Sequence, residues 1–258
     1  MINFKEMFII KDYFIDNDLN EYYGDERLFH FLKYDKCDDF HCVYCMGKAD
    51  SREHLPSKIF LDEPYPSQLA ILPSCISCNN SFSSNEQYLA CLIDYVQLKF
   101  EKLDKVKRPK IEKALHSRPH FGQMLKASTF YTENGELDYI EYDNVKVNSI
   151  VYKLAKGHAA YTLSDIFLEQ PTFINYKFLP QLSQTELINF NTPVFINIFP
   201  EIGSRAFINI TFNRDKPIET WKIVQKNQYR YLAYNEKDGL CVRIVIGEYF
   251  FAEVIWCK

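Results

Sequence analysis

Two pairs of cysteines with the spacing Cys-x-x-Cys constrain the fold of this chain more than any other feature. They are Cys42 and Cys45, then Cys75 and Cys78. Four thiolates at such spacing can close a tetrahedral Zn²⁺ site that holds a short fold together. At 258 residues the chain is too long for the disulfide scaffold of a small secreted domain, so a metal site is the preferred interpretation. Cys37 is close enough in sequence to compete with Cys42 as a ligand.

The segment between the two pairs carries residues suited to chemistry. Glu53 and His54 are adjacent, and Asn79 directly follows the last cysteine of the second pair. A neutral imidazole can accept a proton from water near pH 7, and the oxygens of Glu53 and Asn79 suit Mg²⁺. Simpler roles stay open: Glu53 could orient His54 or be exposed, and Asn79 could cap a helix. Asn80 could take the part of Asn79 if the helix register differs by one residue.

The same segment has the pattern of two strands followed by a helix. Residues 49–54 and 68–72 are candidate short strands, and prolines keep the intervening segments out of helices. The run from Ser83 to Glu86 has the form of a capping box, so a helix is predicted to start there. Glu86 could alternatively reach a metal ion. Apolar residues then follow at helical spacing: Leu89, Leu92, Ile93, Val96 and Phe100.

The rest of the chain predicts an α+β protein. Residues 1–40 form an acidic, aromatic lead-in, 41–100 the cysteine-bearing unit, and 101–258 a helical and then β-rich region of unknown role. Helices are predicted over 102–125, interrupted at its prolines, and over 148–163. Alternating β-branched and aromatic residues predict an antiparallel sheet from the segments 193–200, 205–212, 219–225, 229–235 and 240–256, with a hairpin turn at 238–239.

Composition excludes several functional classes. No apolar run approaches the roughly 20 residues that cross a bilayer, and no signal peptide is visible, so we expect a cytoplasmic protein without a membrane partner. The chain has eight glycines and no phosphate-binding loop of the G-x-x-x-x-G-K-[ST] type, which argues against an ATPase. The net charge of −4 gives no global attraction to nucleic acid. The basic stretch 99–126 could track a phosphate backbone or simply be a solvated helix face.

Together, Cys42-x-x-Cys45, Glu53-His54-Leu55-Pro56-Ser57-Lys58 and Cys75-x-x-Cys78-Asn79 resemble the zinc-stabilised subgroup of the HNH endonucleases. The resemblance covers about a quarter of the chain. It implies a ββα-metal core, structural Zn²⁺, and hydrolysis of phosphodiester bonds with Mg²⁺ or Mn²⁺ in a second site.

The resemblance also implies a role for each site residue. His54 would be the general base, and Glu53 and Asn79 would bind the catalytic ion. Lys58 would contact substrate phosphate. Gln68 stands where the family has its middle asparagine, with a longer interval to Cys75 than in the family, and it would take the loop-fixing role of that residue.

The expected partner is nucleic acid, with DNA favoured over RNA. The alternative is a zinc knuckle that binds nucleic acid or protein without cutting. Residues 101–258 exceed what such a nuclease needs, so we expect them to position substrate, form a homodimer or dock a protein partner such as an ATPase. Family context suggests anti-phage defence, with the acidic lead-in masking the basic stretch until a substrate or partner displaces it.

Overall fold

The structure is a computed structural model that describes residues 41–67, 69–117, 119–135, 137–164, 166–192, 194–195, 200–212, 218–219, 221–237 and 239–257. The acidic lead-in 1–40, which includes Cys37, and the candidate residue Gln68 lie outside these residues.

The cysteine-bearing unit folds as a hairpin followed by a long helix. Strands β1 (Ser51–Leu55) and β2 (Ala70–Ser74) pair antiparallel, with His54 opposite Ile71. Helix α1 (Ile76–Phe100) follows directly. The predicted order of strand, strand and helix is confirmed, but the predicted helix start at Ser83 is wrong. Cys75 caps the helix instead, because its sulfur accepts a hydrogen bond from the Cys78 amide, and the capping-box residues lie inside the helix.

A second set of helices begins where prolines stand in the sequence. Helices α2 (Pro109–Ser117) and α3 (Pro119–Ala127) both start at proline, which lacks an amide proton that the first helical turn leaves unpaired in any case. A short hairpin of β3 (Thr129–Tyr131) and β4 (Leu137–Ile140) follows. Helix α4 (Asn144–Leu163) starts at the cap Asp143, whose side chain accepts from two backbone amides.

The C-terminal part contains five strands that form one sheet: Phe173–Phe178 (β5), Lys222–Gln225 (β8), Tyr229–Glu236 (β9), Gly239–Ile246 (β10) and Phe250–Cys257 (β11). They pair antiparallel in the order β5-β11-β10-β9-β8. Strands β6 (Val194–Phe195) and β7 (Ile218–Glu219) pair antiparallel over two residues each. Helix α5 (Gln184–Asn191) precedes β6 in the chain. The mixed α+β class, with six α-helices in the described ranges and an antiparallel sheet, is confirmed.

One predicted strand in this part is a helix. Residues 205–212 alternate like a strand, yet Arg205–Phe212 is helical (α6). The hydroxyl of Ser204 accepts a hydrogen bond from the Phe207 amide, which is the contact that starts a helix. The N-cap serine Ser204 therefore predicts the structure of this segment better than its β-branched residues do.

Helix α4 lies between the hairpin unit and the sheet. On one side it approaches the hairpin so closely that a Cβ atom added at Gly157 would lie 2.7 Å from Leu55 Cδ1. On the other side His158 stacks on Tyr231 at 3.7 Å and shares a 2.8 Å hydrogen bond with Tyr229. Both halves of the described chain consequently contribute to one hydrophobic core. Among the described residues, no helix has the length and apolar character needed to cross a bilayer.

Candidate functional site

The four predicted cysteine ligands converge on one point. Every pair of sulfurs among Cys42, Cys45, Cys75 and Cys78 lies within 4.8 Å, and the Cys45 and Cys75 sulfurs are 3.8 Å apart. A tetrahedral ion with Zn–S bonds of about 2.3 Å separates its sulfurs by roughly 3.8 Å. The donor set and its spacing therefore fit a metal ion such as zinc.

Local backbone contacts build this cluster. The chain turns back after the first pair, because the Cys42 amide donates to the Gly47 carbonyl at 2.7 Å and the Met46 amide to the Cys42 carbonyl at 2.8 Å. The Gly47 amide points at the Cys45 sulfur at 3.4 Å. At the second pair, the helix cap directs the Cys78 amide at the Cys75 sulfur. In each cysteine pair, an amide proton thus faces a sulfur, an arrangement that favours the thiolate over the thiol.

The cysteines also affect one another's ionisation. Burial opposes ionisation of Cys42, but hydrogen bonds from backbone amides, including those of Cys75 and Tyr44, outweigh it and lower its pKa to about 7. Burial raises the pKa of Cys78, and the neighbouring thiols raise it further. Four thiols this close cannot all ionise without a cation between them. A bound Zn²⁺ would remove this conflict, because a coordinating thiol is deprotonated outright.

Glu53 and His54 are adjacent in sequence but lie on opposite faces of β1, as successive strand residues do. Glu53 is only 4 % exposed and faces the interior between the hairpin and α4. His54 is half-buried, with its Nε2 atom inaccessible to solvent. The regular strand therefore does not bring the predicted base and the predicted carboxylate to one face.

A lysine from α4 binds Glu53. The ammonium of Lys153 makes ion pairs with one oxygen of Glu53 and one of Glu86. The hydroxyl of Ser57 joins them, 3.4 Å from the Glu53 oxygen and 3.3 Å from the lysine nitrogen. Burial raises the pKa of Glu86, an effect that its hydrogen bond from Ser57 partly offsets. Glu86 is thus neither a helix cap nor an exposed ligand, and it belongs to a buried charged cluster.

Sequence reasoning missed Lys153, although a signal existed. Lys153 stands between Ile150 and Leu154 on a helix face whose other members predict burial, and it is 2 % exposed. A lysine in such a position needs a buried carboxylate partner, since an unpaired buried ammonium is very costly. The identity of that partner is a tertiary contact that no spacing reveals.

Two buried polar atoms beside this cluster have no hydrogen-bond partner among the described residues. They are the second oxygen of Glu53, Oε2, and the hydroxyl of Tyr44. Burial raises the pKa of Glu86 and lowers that of Lys153 to about 7, so only the fully ionised cluster, with two carboxylates and one ammonium, would carry a charge of −1, from −2 + 1. A carboxylate oxygen with no partner, in a cluster with one excess negative charge, fits a further cation.

Asn79 lies within the first turn of α1, so the helix-cap alternative does not hold. Its amide nitrogen donates to the Ser51 hydroxyl at 3.0 Å and to the Arg52 carbonyl at 3.3 Å. These bonds tie the helix to β1, and the carboxamide oxygen accepts no hydrogen bond from any residue that the structure describes. This oxygen remains suited to a cation.

The basic stretch after the site is in part structural. Arg108 is buried, and two of its guanidinium nitrogens donate hydrogen bonds of 2.8–3.0 Å to the Asp94 carboxylate. The third nitrogen donates to the Ile59 carbonyl at 2.8 Å. Lys110 donates to the carbonyls of Lys58, at 2.7 Å, and Leu61. These two cations hold the segment after β1 against α1, so they are not available to a phosphate backbone. Lys113 and Lys126 are exposed.

The predicted phosphate contact Lys58 lies in a short 3₁₀ turn, Lys58–Phe60. Its ammonium is 5.4 Å from the centre of the Tyr65 ring. It lies on the same segment that Arg108 and Lys110 anchor.

Comparison with protein-family models, with curated proteins and with solved structures finds no match to this chain. The chain carries a four-cysteine cluster compatible with a zinc ion, where the hairpin meets the start of α1.

Proposed function

We propose that this chain is a zinc-stabilised, metal-dependent endonuclease of the HNH type that hydrolyses phosphodiester bonds of nucleic acid, DNA in preference to RNA. The observation that supports the proposal is the convergence of four sulfurs within 4.8 Å. A zinc ion there would join the turn that precedes β1, the strand that carries His54, to the start of α1, which carries Asn79. Few functions need a metal-pinned strand and helix with an imidazole between the cysteine pairs.

Each residue has a defined part in this proposal. His54 accepts the proton of the attacking water through its neutral imidazole. Glu53, through its second oxygen, and Asn79, through its carboxamide oxygen, are the groups that would hold Mg²⁺ or Mn²⁺. Because Glu53 and His54 face opposite sides of β1, the carboxylate would have to reach an ion beside the imidazole around the edge of the strand. When bound, such an ion stabilises negative charge on the phosphoryl oxygens. Lys153 and Ser57 orient the Glu53 carboxylate by occupying its first oxygen.

Cleavage assays test the proposal. Purified protein should cut plasmid or linear duplex DNA when Mg²⁺ or Mn²⁺ is added, and His54→Ala should lose cutting while it keeps its zinc. His116→Ala is the matched control, because His116 is an exposed residue of α2 far from β1 in sequence. Cutting by His54→Ala at the wild-type rate would disprove the assigned base.

A second candidate function is favoured by one observation. Glu53 is held by Lys153 and is nearly inaccessible, which suits a zinc knuckle that binds nucleic acid or protein without catalysis. That candidate predicts salt-sensitive binding and no cleavage with any divalent ion. Glu53→Gln distinguishes the two: in a nuclease it abolishes cutting and preserves binding, whereas in a binding module it leaves every measured nucleic-acid property unchanged.

The wider setting stays a prediction from sequence. It comprises anti-phage defence, a homodimer or an ATPase partner, and control by the N-terminal lead-in. Residues 101–258 supply helix α4 to the site, which is one reason for the chain to extend beyond a minimal nuclease.

A further inference from the structure

A second buried lysine of α4 points at the cysteine cluster. Lys156 is 5 % exposed, and its ammonium donates a 2.9 Å hydrogen bond to the backbone carbonyl of Tyr44. Tyr44 lies between the metal ligands Cys42 and Cys45. The lysine is three residues after Lys153, and therefore on the same side of the helix. It reaches the cysteine turn, whereas Lys153 reaches the carboxylates.

The hydrogen bond of Lys156 acts on the peptide group that connects Tyr44 to the ligand Cys45. The Tyr44 carbonyl and the Cys45 amide proton belong to the same peptide unit, inside the turn that the Met46 amide closes on the Cys42 carbonyl. A cation bound to the carbonyl polarises this peptide, which makes its amide proton a stronger hydrogen-bond donor. Lys156 thus acts on the backbone of the turn that carries the first two ligands.

The negative charge of the metal-loaded cysteine cluster also favours an ammonium at this position. Zn²⁺ with four thiolates carries a net charge of −2, from +2 − 4, and Cys42 is fully buried, so water cannot compensate that charge on its side. Burial lowers the pKa of Lys156, while the charges of Cys42, Cys78 and Cys45 oppose this effect. The lysine contacts the cysteine turn directly, through the Tyr44 carbonyl at 2.9 Å. An ammonium held at this turn lowers the free energy of the loaded site, because opposite charges attract more strongly where water is excluded.

We propose that Lys156 is a positioning residue of the metal site, which compensates the charge of the loaded cysteine cluster and fixes the Tyr44–Cys45 peptide of the turn between the first two ligands. Zinc affinity then depends on helix α4, which lies outside the unit 41–100 that contains all four ligands. This inference concerns metal binding only, and it stands whether or not the chain cuts nucleic acid.

The test is a zinc titration of the full chain against a chromophoric chelator. Lys156→Met keeps an unbranched side chain, one heavy atom shorter than that of lysine, and removes its charge and donor. Groups that orient metal ligands typically change affinity by about 10- to 100-fold, and we expect a loss in this range. Lys156→Arg keeps both charge and donor and should stay within about threefold of wild type. Lys146→Met is the control on the same helix, because Lys146 is 43 % exposed and pairs with Asp143.

A Co²⁺-loaded sample separates this role from simple loss of stability. Without the hydrogen bond and the nearby charge, the thiolates become better donors, so the sulfur-to-cobalt charge-transfer band of Lys156→Met should move to longer wavelength. The Lys146→Met band should stay in place. Affinity and band position equal to wild type in a folded Lys156→Met would overturn the proposal.

Lys156→Arg keeps the test decisive if Lys156→Met fails to fold. If Lys156→Met does not fold at saturating metal, wild-type affinity in Lys156→Arg supports the proposal. An equal loss in both variants means that shape rather than charge matters at this position, and the proposal is then wrong.

Discussion

Lys153 and Glu53 form a buried ion pair that connects helix α4 to the strand that carries the candidate site. The two side chains are 2 % and 4 % exposed, so solvent screens their interaction very little. Glu86 completes the cluster from α1. The hairpin unit therefore carries buried negative charge that a residue from the C-terminal region neutralises, and the two parts of the chain are interdependent.

Replacing this lysine should destabilise the protein. Lys153→Met leaves Glu53 and Glu86 buried without their counterion, and breaking a buried pair in this way costs about 3–5 kcal/mol. Urea unfolding at neutral pH measures the change. Lys146→Met, on the exposed side of the same helix, should change the free energy of unfolding by no more than about 0.5 kcal/mol. Equal effects of the two variants would contradict the buried ion pair.

Zinc content tests the cysteine cluster. We expect one zinc per chain by elemental analysis, loss of that zinc in Cys78→Ser, and its retention in Cys91→Ala, since Cys91 is buried in α1 outside the cluster. Structural zinc sites contribute on the order of 10 kcal/mol to folding. Removal of the metal by a chelator should accordingly unfold the hairpin unit, seen as a lower melting temperature. A zinc-free wild-type protein with unchanged melting would exclude the metal site.

The buried Arg108 predicts a stability effect within the basic stretch. Arg108→Met removes the double hydrogen bond to Asp94 and leaves that carboxylate buried and unpaired. We expect a loss of about 3–5 kcal/mol in thermal or urea unfolding. Lys113→Met is the control, because Lys113 is exposed on α2. If both variants unfold like wild type, Arg108 is solvated and free to contact nucleic acid.

His158 predicts a loss of stability in acid. Burial lowers its pKa to about 3, while an unfolded chain has a histidine pKa of about 6.5. Between these values the unfolded state binds a proton that the folded state does not, so stability decreases as the pH falls below about 6.5. This residue should contribute roughly 1.4 kcal/mol per pH unit.

The variant His158→Gln isolates that contribution. Urea unfolding of both proteins near pH 7 and again near pH 5 should show a smaller acid loss in the variant, whatever its stability at neutral pH. Other acid effects, such as release of zinc, occur in both proteins and cancel in the comparison. Parallel losses would show that His158 is protonated in the folded protein.

Local patterns predicted much of the fold. The order of hairpin and helix over the cysteine-bearing unit, the helix ending at Leu163, and the strands after Tyr229 followed from cap residues, proline positions and alternation. The errors arose where two local signals competed. Ser83 resembled a helix start although Cys75 already caps α1, and the β-branched run after Ser204 resembled a strand although that serine starts a helix.

The sequence by itself determined the four-cysteine cluster, because two Cys-x-x-Cys turns at this spacing are suited to converge on a common ion. Only the tertiary structure decided the surroundings of Glu53 and Asn79. Glu53 pairs with Lys153, Lys156 donates to the Tyr44 carbonyl of the cysteine turn, and Arg108 pairs with the buried Asp94. These partners come from other elements of the fold, and a buried charge is stabilised by whichever opposite charge folding brings to it, which sequence spacing does not encode.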